Sequence, residues 1–236
     1  MSFADEAIRF NSELEYTGLP LPAGIRIMNP FRESEQSLAV SSAFYEKYYN
    51  DNGQRHIIWG INPGRFGGGL TGIPFTDPKR LVSECGIAYE GKMAHEPSSV
   101  FIYEMIHAFG GIEFFYKNFY INSPCPLGFT SSKAIGKEVN YNYYDSPQLQ
   151  KAVQGFMAES VRKILSMRIY KNVCFCLGTG KNEFHLQKLN DEFGFFERII
   201  ALEHPRFIVQ YKSKAKQFYI DKYVDAFRSV LQSGVE

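Results

Sequence analysis

The run Gly60-Ile61-Asn62-Pro63-Gly64-Arg65-Phe66-Gly67-Gly68-Gly69-Leu70-Thr71-Gly72-Ile73-Pro74-Phe75 follows the apolar segment Ile57-Ile58-Trp59. A short apolar run bounded by turn residues reads as a buried strand, here emptying into a loop made almost wholly of backbone. Glycine admits positive φ and lets a ligand approach the main chain, while proline fixes the turns between such points. The combination describes a tight pocket at a strand end. A plain structural turn is the alternative that the glycines alone do not exclude.

Outward from this stretch, apolar runs recur at Phe119 to Asn122, Val173 to Leu177 and Ile199 to Leu202, with helix-patterned segments between them. That alternation predicts an α/β fold: a three-layer sandwich whose central, mostly parallel four-stranded sheet is flanked by helices. Asp77-Pro78 and Ser146-Pro147 each read as an N-cap with proline in the first helical position. A helix is expected from about Ser98 to Phe109, stopped by Gly110-Gly111; another follows Thr179, and the last carries Phe218, Tyr223, Val224, Phe227 and Leu231 on one stripe. Residues 1–236 are expected to form a single domain with a helical N-terminal extension over about residues 1–50, where Ala4 to Leu14 and Ser37 to Tyr49 have helical character. The polar stretch Gly128 to Asp145 reads as a long loop, either functional or a solvated excursion.

Composition narrows the classes. With 22% charged residues and a net charge of +1, no global field advertises a nucleic-acid partner, so any such surface must be local. Aromatic content of 16% suits both a core and stacking on unpaired bases. Cys85, Cys125, Cys174 and Cys176 form no C-x-x-C, which supports neither a disulfide framework nor a metal cluster. No signal peptide or membrane span is legible, and a reducing, cytoplasmic setting is expected.

In an open parallel sheet, ligands bind beyond the carboxyl ends of the strands. Asn62, Asn122-Ser123 and His204 all fall there, although each alone is an ordinary turn or loop residue. Near them, Phe66 and Phe75 offer stacking faces and Thr71 a hydroxyl, but no metal ligand or strong nucleophile stands in the loop. Amide beside aromatic ring suits a flat, uncharged heterocycle with hydrogen-bonding edges, such as a nucleobase. A phosphate loop is disfavoured, because no Gly-Lys-Ser/Thr follows the glycines and no G-x-G-x-x-G opens a helix.

These residues carry a family resemblance. The Gly60–Phe75 run resembles the first motif of the uracil-DNA glycosylase superfamily, specifically its single-strand-selective monofunctional (SMUG) class, G-x-N-P-G-x-F-G-x-x-x-T-G-x-P-F. Phe119-Tyr120-Ile121-Asn122-Ser123-Pro124-Cys125-Pro126-Leu127 is similar to the strand that ends in a base-reading Asn, and His204-Pro205 to the opening of the second catalytic motif. Two departures point to a divergent bacterial branch. Arg206-Phe207-Ile208-Val209-Gln210 replaces the small polar wedge of vertebrate members, and one extra residue stands between Asn122 and Cys125-Pro126-Leu127, so Ser123 could take the place given to Asn122.

The resemblance implies a monofunctional DNA glycosylase acting on DNA that contains uracil or related deaminated or oxidised bases, with no cofactor. His204 would donate to uracil O2 and Asn62 would hold the attacking water. Asn122 or Ser123 would read the base edge, Phe75 would stack on the ring, and Gly64 would leave room at C5, admitting 5-substituted uracils, with xanthine as an extension. Arg206, Lys212, Lys214 and Lys216 are expected on phosphates beside a Phe207-Ile208 wedge, with Pro205 also on the DNA-binding side, against the alternative of a solvated basic helix start. Two other readings remain at this level: a module that binds damaged bases without cleaving them, and a free-nucleotide site.

Overall fold

The computed structural model describes residues 1–133 and 137–232. Helix α1 (Phe3–Glu13) is followed by strand β1 (Ile25–Met28), helices α2 (Pro30–Glu33) and α3 (Glu35–Tyr49), and strand β2 (His56–Trp59). Short helices α4 (Gly68–Thr71) and α5 (Pro78–Ser83) lead to α6 (Pro97–Phe109), α7 (Ile112–Asn118) and strand β3 (Phe119–Asn122). Strands β4 (Gly128–Lys133) and β5 (Lys137–Tyr141) precede α8 (Pro147–Leu165), β6 (Val173–Leu177), α9 (Lys181–Phe193) and β7 (Arg198–Leu202). Helices α10 (Pro205–Tyr211) and α11 (Lys216–Gln232) follow.

The four apolar runs pair as one parallel sheet in the order β3-β2-β6-β7. Its register sets Trp59 beside Asn122 and Cys176, and Leu177 beside Leu202, so the carboxyl ends of the strands lie level. Two backbone bonds stitch the chain just past them: Gly60 N–H to the Asn122 carbonyl and Gly178 N–H to the Leu202 carbonyl, both at 2.7 Å. Whatever follows each strand therefore emerges at one edge.

Alternation along β3 divides the aromatics between the two faces. Phe119 packs with Phe109, Phe115 and Phe227 from α6, α7 and α11. Tyr120 meets Phe3, Tyr45 and Tyr49 from α1 and α3 on the other side. Most of the aromatic content is thus core, and full burial of a ring such as Phe227 contributes roughly 2–3 kcal/mol. The cysteines pack likewise; all four are buried free thiols.

Asp77 and Ser146 cap α5 and α8 as expected, accepting from the backbone N–H groups of Arg80 and Leu149 at 2.8 and 3.1 Å. The stretch from Gly128 to Asp145 corrects the loop expectation. Outside residues 134–136, which lie beyond the described residues, it is an antiparallel pair, and β1 adds to it in the order β1-β4-β5. Phe129 and Thr130 are buried there, while Ser131, Glu138 and Asn140 are not, and that polar outer face hid the strands in the sequence.

Candidate active site

Motif residues from β2, β3 and β7 converge on a cavity of about 170 Å³, lined by Gly60, Asn62, Gly64, Phe75, Asn122, Ser123 and His204 among others. The size suits a single heterocycle better than the roughly 300 Å³ or more of a drug-sized ligand.

Thr71, fully buried, shapes the loop. Its hydroxyl donates to the Thr76 carbonyl at 2.6 Å and accepts from the Ile73 N–H at 3.2 Å. This tight turn holds Phe75 at φ 54°, a left-handed conformation that costs an aromatic residue strain. The strained backbone aims the ring at His204, with centroids 5.7 Å apart and planes tilted by 48°.

His204 is the N-cap of α10, its Nδ1 accepting from the Arg206 backbone N–H at 3.1 Å. That bond fixes the tautomer: the ring proton is on Nε2. Burial, and then the nearby Arg206 cation, pull its pKa from 6.5 down to about 4, so the imidazole is a neutral donor at physiological pH.

Asn62 is clamped from outside its own motif. Its Oδ1 accepts from the Tyr143 N–H at 3.2 Å, and its Nδ2 donates to the Tyr141 carbonyl at 3.3 Å. Tyr143 in turn donates to Asn182 Oδ1 at 3.0 Å, while Asn182 Nδ2 donates to the carbonyls of Gly60 and Leu177 at 3.3 and 3.0 Å. A buried amide on α9 thus ties the ends of β2 and β6 to the segment that orients Asn62. Sequence reading missed Tyr143 and Asn182; the only signal was their place in polar stretches after strands.

At the end of β3, Asn122 Nδ2 donates to the Tyr120 hydroxyl at 2.7 Å and its Oδ1 accepts from the Ser123 N–H at 2.8 Å. Ser123 Oγ lies where a Cβ on Gly60 would come within 3.1 Å of it and 3.3 Å of the Phe75 ring, so the hydroxyl borders the stacking face. A side chain on Gly60 would crowd both neighbours.

Other expected site residues separate. Gly64 lines the cavity, but Phe66 does not: it turns outward, 43% exposed under the Arg65 guanidinium, and lines a neighbouring groove. In α10, Phe207 is 41% exposed but Ile208 is fully buried, which removes Ile208 from the wedge; on a helix packed against α6, the two neighbours necessarily point apart. Pro205 is buried as the first helical residue. Arg206, Lys212 and Lys214 are exposed, whereas Lys216 Nζ is engaged by Glu104 at 2.7 Å and is not a free cation for phosphate. Among the described residues no His/Cys/Asp/Glu group is arranged to hold a metal, and no helix is long and apolar enough to cross a membrane.

Glu96, which precedes α6, enters the same cavity and was not anticipated. Burial first, then the Asp77 carboxylate, raises its pKa from 4.5 to about 7, against opposing effects of Arg206 and Ser99.

The sequence profile of the uracil DNA glycosylase superfamily matches residues 46–228. Among solved structures, the crystal structure of wild-type SMUG2 from Pedobacter heparinus is similar to this chain at 66% identity, covering 98% of it and 99% of that chain with a TM-score of 0.97. No curated protein matches it.

Proposed function

The chain belongs to the uracil DNA glycosylase superfamily, in its SMUG class, and from that premise we propose how the cavity divides the work and which bases it releases. As a DNA glycosylase it hydrolyses N-glycosyl bonds, with uracil in DNA as substrate. Uracil leaves as an anion spread over N1 and its flanking carbonyls, so a donor aimed at O2 stabilises the transition state more than the ground state. His204 is that donor: neutral, with Nε2–H free for the base because Nδ1 is occupied by Arg206. A neutral imidazole donates without forming an ion pair that would bind the product.

Asn62 orients the water. Its Oδ1 keeps a lone pair after accepting from Tyr143, and the clamp through Tyr141 fixes which atom faces the cavity. Phe75 stacks on the extruded ring, a contact worth roughly 1–3 kcal/mol. Ser123 reads the base edge, and Asn122 acts behind it, spending one bond on Tyr120 and one on the Ser123 backbone. A hydroxyl can donate or accept, which supports a range wider than uracil, including 5-hydroxymethyluracil and xanthine. Arg206, Phe207, Lys212 and Lys214 form the DNA-facing side. The observation that carries this reading is the meeting of Phe75 and His204 across a cavity that Asn62 also lines.

The test is a panel of single-lesion oligonucleotides, single- and double-stranded, scored for abasic product. Uracil, 5-hydroxymethyluracil and xanthine should be released, cytosine retained, and Ser123→Ala should slow uracil release about 10-fold, roughly the loss of one hydrogen bond. Release of uracil alone, or a Ser123→Ala enzyme as fast as wild type, would contradict the proposed range or the role of Ser123 respectively.

A further inference from the structure

Glu96 lines two depressions at once. With Ser98, Asn140 and Arg206 it borders both the base cavity and an adjoining open groove whose walls include Arg65, Phe66 and Gln210. An extruded nucleotide must keep its base in the cavity and its phosphates outside, so the sugar sits at this shared threshold.

The Glu96 carboxyl lies against the glycine-rich loop. A Cβ on Gly64, two residues past Asn62, would lie 3.2 Å from Glu96 Oε1, and one on Gly67 would collide with Oε2. The backbone is pinned as well, since Glu96 N–H donates at 2.6 Å to Asp77, itself fully buried. A carboxylate that close to incoming phosphates opposes DNA binding, so its place calls for a compensating use. The reaction supplies one, because positive charge develops on the sugar as the base departs, and Asn62 cannot take a proton from water.

We propose that Glu96 is a catalytic carboxylate of this site, facing the sugar and accepting the proton of the attacking water that Asn62 orients. The inference rests on the glycosylase reading above. In the step, the C1′–N1 bond breaks and its electron pair leaves on the base; the water oxygen bonds to C1′, and the water proton passes to a Glu96 oxygen. The departing anion stays against His204 Nε2–H until solvent protonates it. Burial tunes Glu96 to near neutrality, where a general base is most effective, and the charged groups around it are Asp77 at the start of α5, Arg206 on α10, Arg65 in the glycine loop, and Arg80 and His95, both against Asp77.

Single-turnover release of uracil, followed from about pH 5.5 to about pH 9, tests this on the whole chain. Wild type should gain rate through about pH 7. Glu96→Gln should be slower by about 10²-fold at high pH and lose the rise, and added formate should accelerate Glu96→Ala. Glu96→Asp, which keeps a carboxylate, should keep the rise at a lower rate and carries the test if the Gln variant does not fold. A Gln variant that retains the pH rise, or a rate within about twofold of wild type, overturns the inference while leaving the glycosylase reading intact. Wild type that releases no uracil at any pH removes both.

Discussion

The two ends of strand β2 are both polar and both enclosed, yet they are finished differently. At the amino end, Arg55 is fully buried between the rings of Phe3 and Tyr49. Its guanidinium is bound by both Asp51 oxygens at 3.0 and 2.8 Å and by the carbonyls of Gly53 and Tyr116. At the carboxyl end, Asn62 keeps a lone pair, His204 keeps Nε2–H, and the Ser123 hydroxyl has no partner among the described residues. The Arg55 guanidinium, fully paired, holds the fold together, whereas the open groups at the carboxyl end face a cavity that a base can enter.

The largest stability change should come from the saturated end. Arg55→Met removes the charge and strands two carbonyls, and we expect a loss of about 3 kcal/mol in denaturant unfolding, with the remaining folded enzyme still releasing uracil. A loss of activity exceeding the loss of folded protein would show that the ends are not independent.

Thr71→Val lies between the two regimes. It removes the donor to Thr76 and the acceptor for Ile73 while keeping shape, so stability should fall by about 1–3 kcal/mol. Because Phe75 is strained through this turn, base release should slow as well; unchanged release would sever Phe75 from its support.

A third effect is a pH dependence. An unfolded histidine takes up its proton near 6.5, but folded His204 waits until about 4, so in that window the unfolded chain binds more protons. Stability should therefore fall as pH falls from about 6.5 toward 4, and His204→Ala should flatten that part of the curve. Parallel curves for the two proteins would contradict the neutral imidazole.

Much of this was legible in the sequence, for physical reasons that also mark the misses. Strands buried on both faces read as continuous apolar runs, and Asp77-Pro78 and Ser146-Pro147 announce helix starts through local chemistry, so the sheet and the level of Asn62, Ser123 and His204 could be placed. The strands β4 and β5 were hidden because their outer side chains are polar, and with them went the clamp on Asn62. Ile208 and Phe66 were misplaced because neither the rotation of a short helix nor the exit direction of a glycine loop is written in residue types. Lys216 reads as a free cation in the sequence because its partner Glu104 is remote along the chain. Glu96 left no signal at all: a single acidic residue before a proline acquires meaning only when the glycines are seen to make room for it.

The central claim is that an amide and an imidazole, distant along the chain, act on one base. Single-turnover uracil release by Asn62→Ala and His204→Ala, each verified as folded, measures it directly. Each variant should lose about 10²–10³-fold, the scale of a lost oxyanion donor. Two folded variants that release uracil at near wild-type rates would contradict it.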